Sequence, residues 1–150
     1  MNDSVNNSGH TVLIVEDDLI VRDLAVEMFA GEGYNVLEAS DVKTGKELFA
    51  KHPEIDLVFS DLILPGGETG AQLTKWVLEE KPNTLVVLAT GYQDKGEAIA
   101  ANTKGLNNVA FIPKPYDVFE VPKMIQAMFD KQSQTKNSIR VGLSAHCGKI

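Results

Sequence analysis

The chain has 150 residues, enough for one domain that buries ~70% of its unfolded surface without disulfides or metal staples. Hydrophobic residues make up 43% and charged residues 23%, which excludes general disorder, collagen and coiled-coil classes. A net charge of −7 disfavours a broad basic face for nucleic acid, and the single Cys147 excludes an intramolecular disulfide framework.

Residues 1–10 (MNDSVNNSGH) are polar and lack the apolar stretch of a secretory signal, so no such signal is expected and they are read as a flexible leader. Thr11 to Val15 (TVLIV) is a short, β-branched apolar run, as suits a strand buried on both faces. Val21, Leu24, Ala25, Met28 and Phe29 then recur at helical spacing, and Gly31 and Gly33 mark that helix's end. A second strand is predicted over 35–39, and a second helix carries Val42, Gly45, Leu48 and Phe49 before Pro53. Residues 57–60 (LVFS) form a third strand. Pro65-Gly66-Gly67 makes a loop, and Leu73, Trp76 and Val77 fit a third helix. Residues 85–89 (LVVLA) are the strongest apolar run and the fourth strand. A helix is predicted over roughly 94–104 on an alanine-rich face, then a fifth strand over 109–112 (VAFI). Val118, Val121, Ile125, Met128 and Phe129 face inward on a last helix, with Asp117 and Glu120 forming a capping-box-like start.

Five short strands alternating with five helices predict an open, doubly wound α/β parallel sheet over residues 11–131. Residues 132–150 hold Lys136, Arg140 and Lys149 and no acid, leaving the rest of the chain at −10. They lack an apolar period and are expected to be a flexible basic tail, with Ile139–Leu143 as the stretch that could add a strand or dock on a partner. No apolar run approaches the ~20 residues of a membrane span. The expected setting is cytoplasmic, with no membrane contact and no direct DNA binding.

In open α/β sheets, ligands bind outside the carboxyl ends of the strands. After the first strand come Glu16, Asp17 and Asp18; after the third, Asp61; after the fourth, Thr90-Gly91; after the fifth, Lys114-Pro115. Asp18 is best placed to cap the first helix. Carboxylates held together raise one another's pKa unless a cation sits among them. Hard oxygen ligands of this kind suit Mg²⁺. A carboxylate can itself be a nucleophile, a lysine neutralises a phosphoryl group, and a threonine can donate to one of its oxygens. Each residue alone has an ordinary structural role as cap or turn; their joint placement at one sheet edge is what points to chemistry. Trp76 is expected to pack, and His10, His52 and His146 lack metal-ligand spacing.

The set Glu16-Asp17, Asp61, Thr90 and Lys114-Pro115 resembles the receiver domain of two-component response regulators. Pro65, the Ala89-Thr90-Gly91-Tyr92 stretch and Phe111 support the likeness. The resemblance implies a flavodoxin-like sheet in the order 2-1-3-4-5. It implies that Asp61 is the phosphoacceptor. Asp17, Asp61 and the backbone carbonyl of Ile63 would ligate Mg²⁺, and Glu16 would do so through water or directly. Thr90 and Lys114 would bind the phosphoryl group, with a cis bond from Lys114 to Pro115. Thr90 and Phe111 would form the switch, with Phe removing the hydroxyl of the commoner Tyr. The implied donor is a histidine kinase or histidine phosphotransfer protein, and the output is a changed affinity for a downstream protein. One departure is the loop Pro65-Gly66-Gly67-Glu68-Thr69-Gly70, a residue longer than the commonest pattern and similar to receivers of hybrid histidine kinases.

Two other functions compete. A Mg²⁺-dependent phosphatase with an aspartyl nucleophile usually has a second acid two residues on, where this chain has Ile63. An FMN module wants a Ser/Thr/Gly-rich phosphate loop after the first strand, where Glu16-Asp17-Asp18 would repel phosphate. The expected chemistry is therefore self-phosphotransfer and autodephosphorylation, without turnover of external substrates. With no output domain after residue 131, a stand-alone receiver or one cut from a hybrid kinase is expected.

Overall fold

A computed structural model describes residues 9–91 and 108–148, with side chains through residue 134. The elements are β1 (Thr11–Val15), α1 (Leu19–Gly31), β2 (Asn35–Ala39), α2 (Val42–Lys51), β3 (Ile55–Asp61), α3 (Gly70–Glu80), β4 (Leu85–Thr90), β5 (Val109–Pro113) and α4 (Glu120–Gly148). The sheet order is β2-β1-β3-β4-β5, and every pairing is parallel. The helix expected over 94–104 lies outside the described residues.

The apolar runs form strands because both sheet faces are covered. Val12, Ile14, Phe59, Val87 and Ile112 meet Phe29 of α1 and Ile125 of α4 on one face. Leu13, Val15, Val58, Val86 and Leu88 meet Phe49 of α2 and Leu73 of α3 on the other. Each large side chain buried this way contributes about 1.5–3 kcal/mol. This leaves little room for polar residues in mid-strand, so chemistry collects at the strand ends.

Helix starts are set by short polar side chains. Asp18 accepts from the N–H groups of Ile20 and Val21, and Asp41 accepts from Thr44 at 2.7 Å. Thr69 and Gln72 form a reciprocal capping box on α3. Asp117 accepts from the N–H groups of Phe119 and Glu120 ahead of α4. Trp76 packs as expected, edge-to-face on Phe49 with centroids 5.7 Å apart.

Three expectations need correction. First, β3 and β4 run through Asp61 and Thr90, so these residues are the last of their strands rather than the first of their loops. Parallel pairing of Asp61 with Ala89 and of Thr90 with Pro113 extends each ladder by that residue. Second, His10 is not loose leader: its ring stacks on Phe129 at 3.9 Å, and Nδ1 lies 2.7 Å from Asp56 Oδ2. Third, the backbone from 132 to 148 is not an irregular tail but a continuation of α4. Residues 123–141 contain neither glycine nor proline, so nothing stops the helix. An apolar period reports which face of a helix packs, so its loss at 132 does not by itself end the helical backbone.

Candidate functional site

The site is assembled at the carboxyl edge of β1, β3, β4 and β5. Glu16 leaves β1 with its N–H donating to the Ala39 carbonyl at 3.0 Å. Its Oε2 accepts from the Asp18 N–H at 3.1 Å. Asp61 ends β3. Carboxylate oxygens of Glu16, Asp17 and Asp61 lie within 4.8 Å of one another. Lys114, just beyond β5, donates from Nζ to Asp61 Oδ2 at 2.9 Å and to Glu16 Oε1 at 3.2 Å. The Lys114–Pro115 peptide bond is cis, as expected.

Charge dominates this pocket. Among the described residues, the Lys114 ammonium faces three carboxylates, in a place where Glu16 is only 6% exposed. Burial pushes the Glu16 carboxyl above its ordinary 4.5. The neighbouring Asp61 charge adds to that, against the pull of the Asp18 N–H and Lys114. Burial pulls the Lys114 ammonium down, but its hydrogen bond to Asp61 and the charges of Asp61 and Glu16 outweigh this and raise it. Tyr116 is pushed up to about 12, first by burial and then by the Glu16 charge. The donor set is hard and anionic, which fits a divalent cation such as Mg²⁺.

The other expected site residues sit around this cluster in different ways. Thr90 is at the adjacent strand end, its Oγ1 a long 3.4 Å from the Ile112 carbonyl. Ile63 lies in the loop beyond β3, bridged to Thr69 and 44% exposed. Phe111 lies in β5 opposite Leu88 and packs on the α2–α3 side of the sheet. Glu16, Asp17, Asp61 and Lys114 are thus brought together, Thr90 borders them, and Phe111 is half-buried against the α2–α3 side of the core.

Two residues that shape the site carry no role in the sequence reading. Gly70 begins α3 against the Asp61 backbone, where an added Cβ would collide with the Asp61 carbonyl. Its sequence signal is the last glycine of the loop after β3. Arg22 donates from Nη1 to the Glu16 carbonyl at 2.9 Å. Its only signal is an arginine near the start of a helix where an acid is the better choice.

Residues 12–126 match the family model of the response regulator receiver domain. The chain belongs to that family. Among curated relatives, this receiver is 29% identical over 123 residues to the sensor kinase CckA of Brucella abortus, covering 81% of this chain and 13% of that protein. It is 32% identical over 110 residues to the aerobic respiration control protein ArcA of Escherichia coli, covering 73% of this chain and 44% of that protein. The chain therefore spans less than half the length of these relatives. Among solved structures, the receiver domain of the hybrid histidine kinase CckA aligns with a TM-score of 0.63 at 28% identity, covering 79% of this chain and 97% of that one. A CheY-like receiver from Methanospirillum hungatei aligns with a TM-score of 0.73 at 24% identity, covering 85% and 99%, a likeness of fold. Among the described residues no helix is long and apolar enough to cross a membrane.

Proposed function

We propose that this receiver takes a phosphoryl group from a phosphohistidine, on a histidine kinase or a histidine phosphotransfer protein, onto the carboxylate of Asp61. The observation that carries the reading is the Lys114 ammonium bridging Asp61 and Glu16 beside Asp17. It gathers nucleophile, charge neutraliser and metal-binding acids at one sheet edge. Asp61 supplies the oxygen that bonds to phosphorus as the phosphorus–nitrogen bond to histidine breaks. Lys114, already 2.9 Å from Asp61, is placed to hold an oxygen of the transferring group. Asp17, Asp61, Glu16 and the Ile63 carbonyl would hold Mg²⁺, which would neutralise part of the phosphoryl charge. Ile63 offers no general acid where an aspartyl phosphatase has one, which disfavours turnover of external substrates.

Thr90 exchanges its long contact with the Ile112 carbonyl for a phosphoryl oxygen, and Phe111 repacks beside it. Partner affinity thereby changes at a distance from Asp61. The output is binding of a downstream protein in the cytoplasm, without direct DNA contact. The test is intact-mass analysis after incubation with acetyl phosphate and Mg²⁺. One base-labile phosphoryl group is expected on the wild type and none on Asp61→Asn; label retained at wild-type level by Asp61→Asn overturns the reading. For the switch, beryllofluoride should shift amides around β4 and β5 in the wild type and shift them less in Thr90→Ala. Equal shifts in the two overturn the role of Thr90.

A further inference from the structure

Arg22 occupies the first turn of α1, where a cation opposes the helix dipole and where this helix carries no acid. Its side chain is only 17% exposed. The guanidinium makes two bonds in different directions. Nη1 donates to the backbone carbonyl of Glu16 at 2.9 Å, and Nε donates to Glu38 Oε1 on β2 at 3.1 Å. Neither bond goes to a carboxylate of the acidic cluster. Meanwhile the Glu16 N–H is held by the Ala39 carbonyl, also on β2. Both flanks of Glu16 are therefore tied, one to the sheet and one to α1.

The tie on the carbonyl matters more than a surface ion pair would. The Glu16 carbonyl and the Asp17 nitrogen belong to one planar peptide unit. Fixing the oxygen fixes the plane, and with it the direction in which the Asp17 Cα leaves Glu16. A planar fork with several donors can hold a carbonyl and a carboxylate at once; a single ammonium does so with less geometric constraint. Groups that orient metal ligands without touching the metal commonly alter metal affinity by 10- to 100-fold when removed.

We infer that Arg22, steadied by Glu38, is a positioning residue for the Glu16–Asp17 pair and tunes the divalent-cation affinity of the site. This rests on the reading of the acidic cluster as a cation site. The inference has a distinctive sign. Arg22 is a positive charge near a cation site, so charge alone predicts that its removal tightens Mg²⁺ binding. Positioning predicts that its removal weakens binding.

The experiment is a calorimetric Mg²⁺ titration of the full chain as wild type, Arg22→Ala, Arg22→Lys and Asp17→Ala, with amide spectra confirming that each is folded. Arg22→Ala is expected to bind on the order of tenfold more weakly and Arg22→Lys several-fold more weakly, despite its retained charge. In metal-free Arg22→Ala the Asp17 and Asp18 amide signals should move. Affinity in Arg22→Ala equal to or tighter than wild type, or wild-type affinity in Arg22→Lys, overturns the inference. If Asp17→Ala loses binding while Arg22→Ala keeps it, only the role of Arg22 falls. If the wild type takes up no Mg²⁺, or Asp17→Ala binds as well as wild type, the reading of the cluster falls and the role of Arg22 with it.

Discussion

Asp56 and Asp61 lie near opposite ends of β3 and do opposite things. At the amino end, Asp56 accepts from the Thr11 N–H at 3.0 Å and faces His10 at 2.7 Å. Its neighbours there are similarly engaged: Lys81 donates to the Ile55 carbonyl, Asn108 to the Thr84 carbonyl, and Gln132 to the Asn83 carbonyl. Each polar side chain completes a backbone group and ties two elements together. At the carboxyl end, Asp61 faces Glu16 and Asp17, with Lys114 to balance them. A carboxylate that takes backbone donors holds a fold together, whereas carboxylates set against one another store repulsion that an added cation relieves.

Substitutions at the two ends should separate these roles. The largest contrast is expected between Asp61→Asn and Asp56→Asn. The first should abolish labelling by acetyl phosphate. The second should leave the labelling rate unchanged but cost about 1–2 kcal/mol in urea denaturation, through weakened hydrogen bonds to Thr11 and His10. Slowed labelling in folded Asp56→Asn would break the comparison.

Glycines sharpen it next. Gly70→Ala places a methyl group against the Asp61 carbonyl and the Leu62 Cα. It should cost about 2–3 kcal/mol, because backbone cannot move aside as a side chain can. Gly31→Ala meets open space at the other end of the sheet and should gain about 0.5–1 kcal/mol. Thermal denaturation of the two variants checks both signs.

A smaller effect is expected from Asp17→Ala. Mg²⁺ affinity should fall, while metal-free stability rises by roughly 0.5 kcal/mol as repulsion among exposed and buried acids is relieved. A metal-free variant less stable than wild type would show that Asp17 has a structural role like that of Asp56.

The smallest effect is in pH dependence. The folded pKa of Glu16 lies above its ordinary 4.5, chiefly through burial. The folded state therefore binds the proton more tightly than the unfolded state, and metal-free stability should decline as pH rises from 4.5 through the folded value. Glu16→Gln removes this titration and should make the decline shallower in denaturation curves at several pH values. An unchanged slope would assign the decline to other groups.

The sheet and most of the site were legible from short-range pattern alone. Runs such as TVLIV and LVVLA suit strands covered on both faces, and their ends then fall at one edge. That argument locates Glu16, Asp17, Asp61, Thr90 and Lys114 without knowing any distance. It could not give β3 and β4 their last residues, because register with a neighbouring strand decides whether Asp61 and Thr90 belong to the ladder. The end of the last helix was misplaced for a related reason. Loss of an apolar stripe after Phe129 does not by itself end the helical backbone.

By itself, then, the order of residues determined the strand-and-helix alternation and the identity of the groups at the carboxyl edge, since both follow from local periodicity and from which residues interrupt it. Packing of the elements against one another set which acids share a cation-sized space, which of them Lys114 bridges, that Gly70 must lack a side chain, and that Arg22 holds the Glu16 carbonyl. Those outcomes join residues as far apart as Glu16 and Lys114. They depend on distances of a few ångströms that no periodicity encodes.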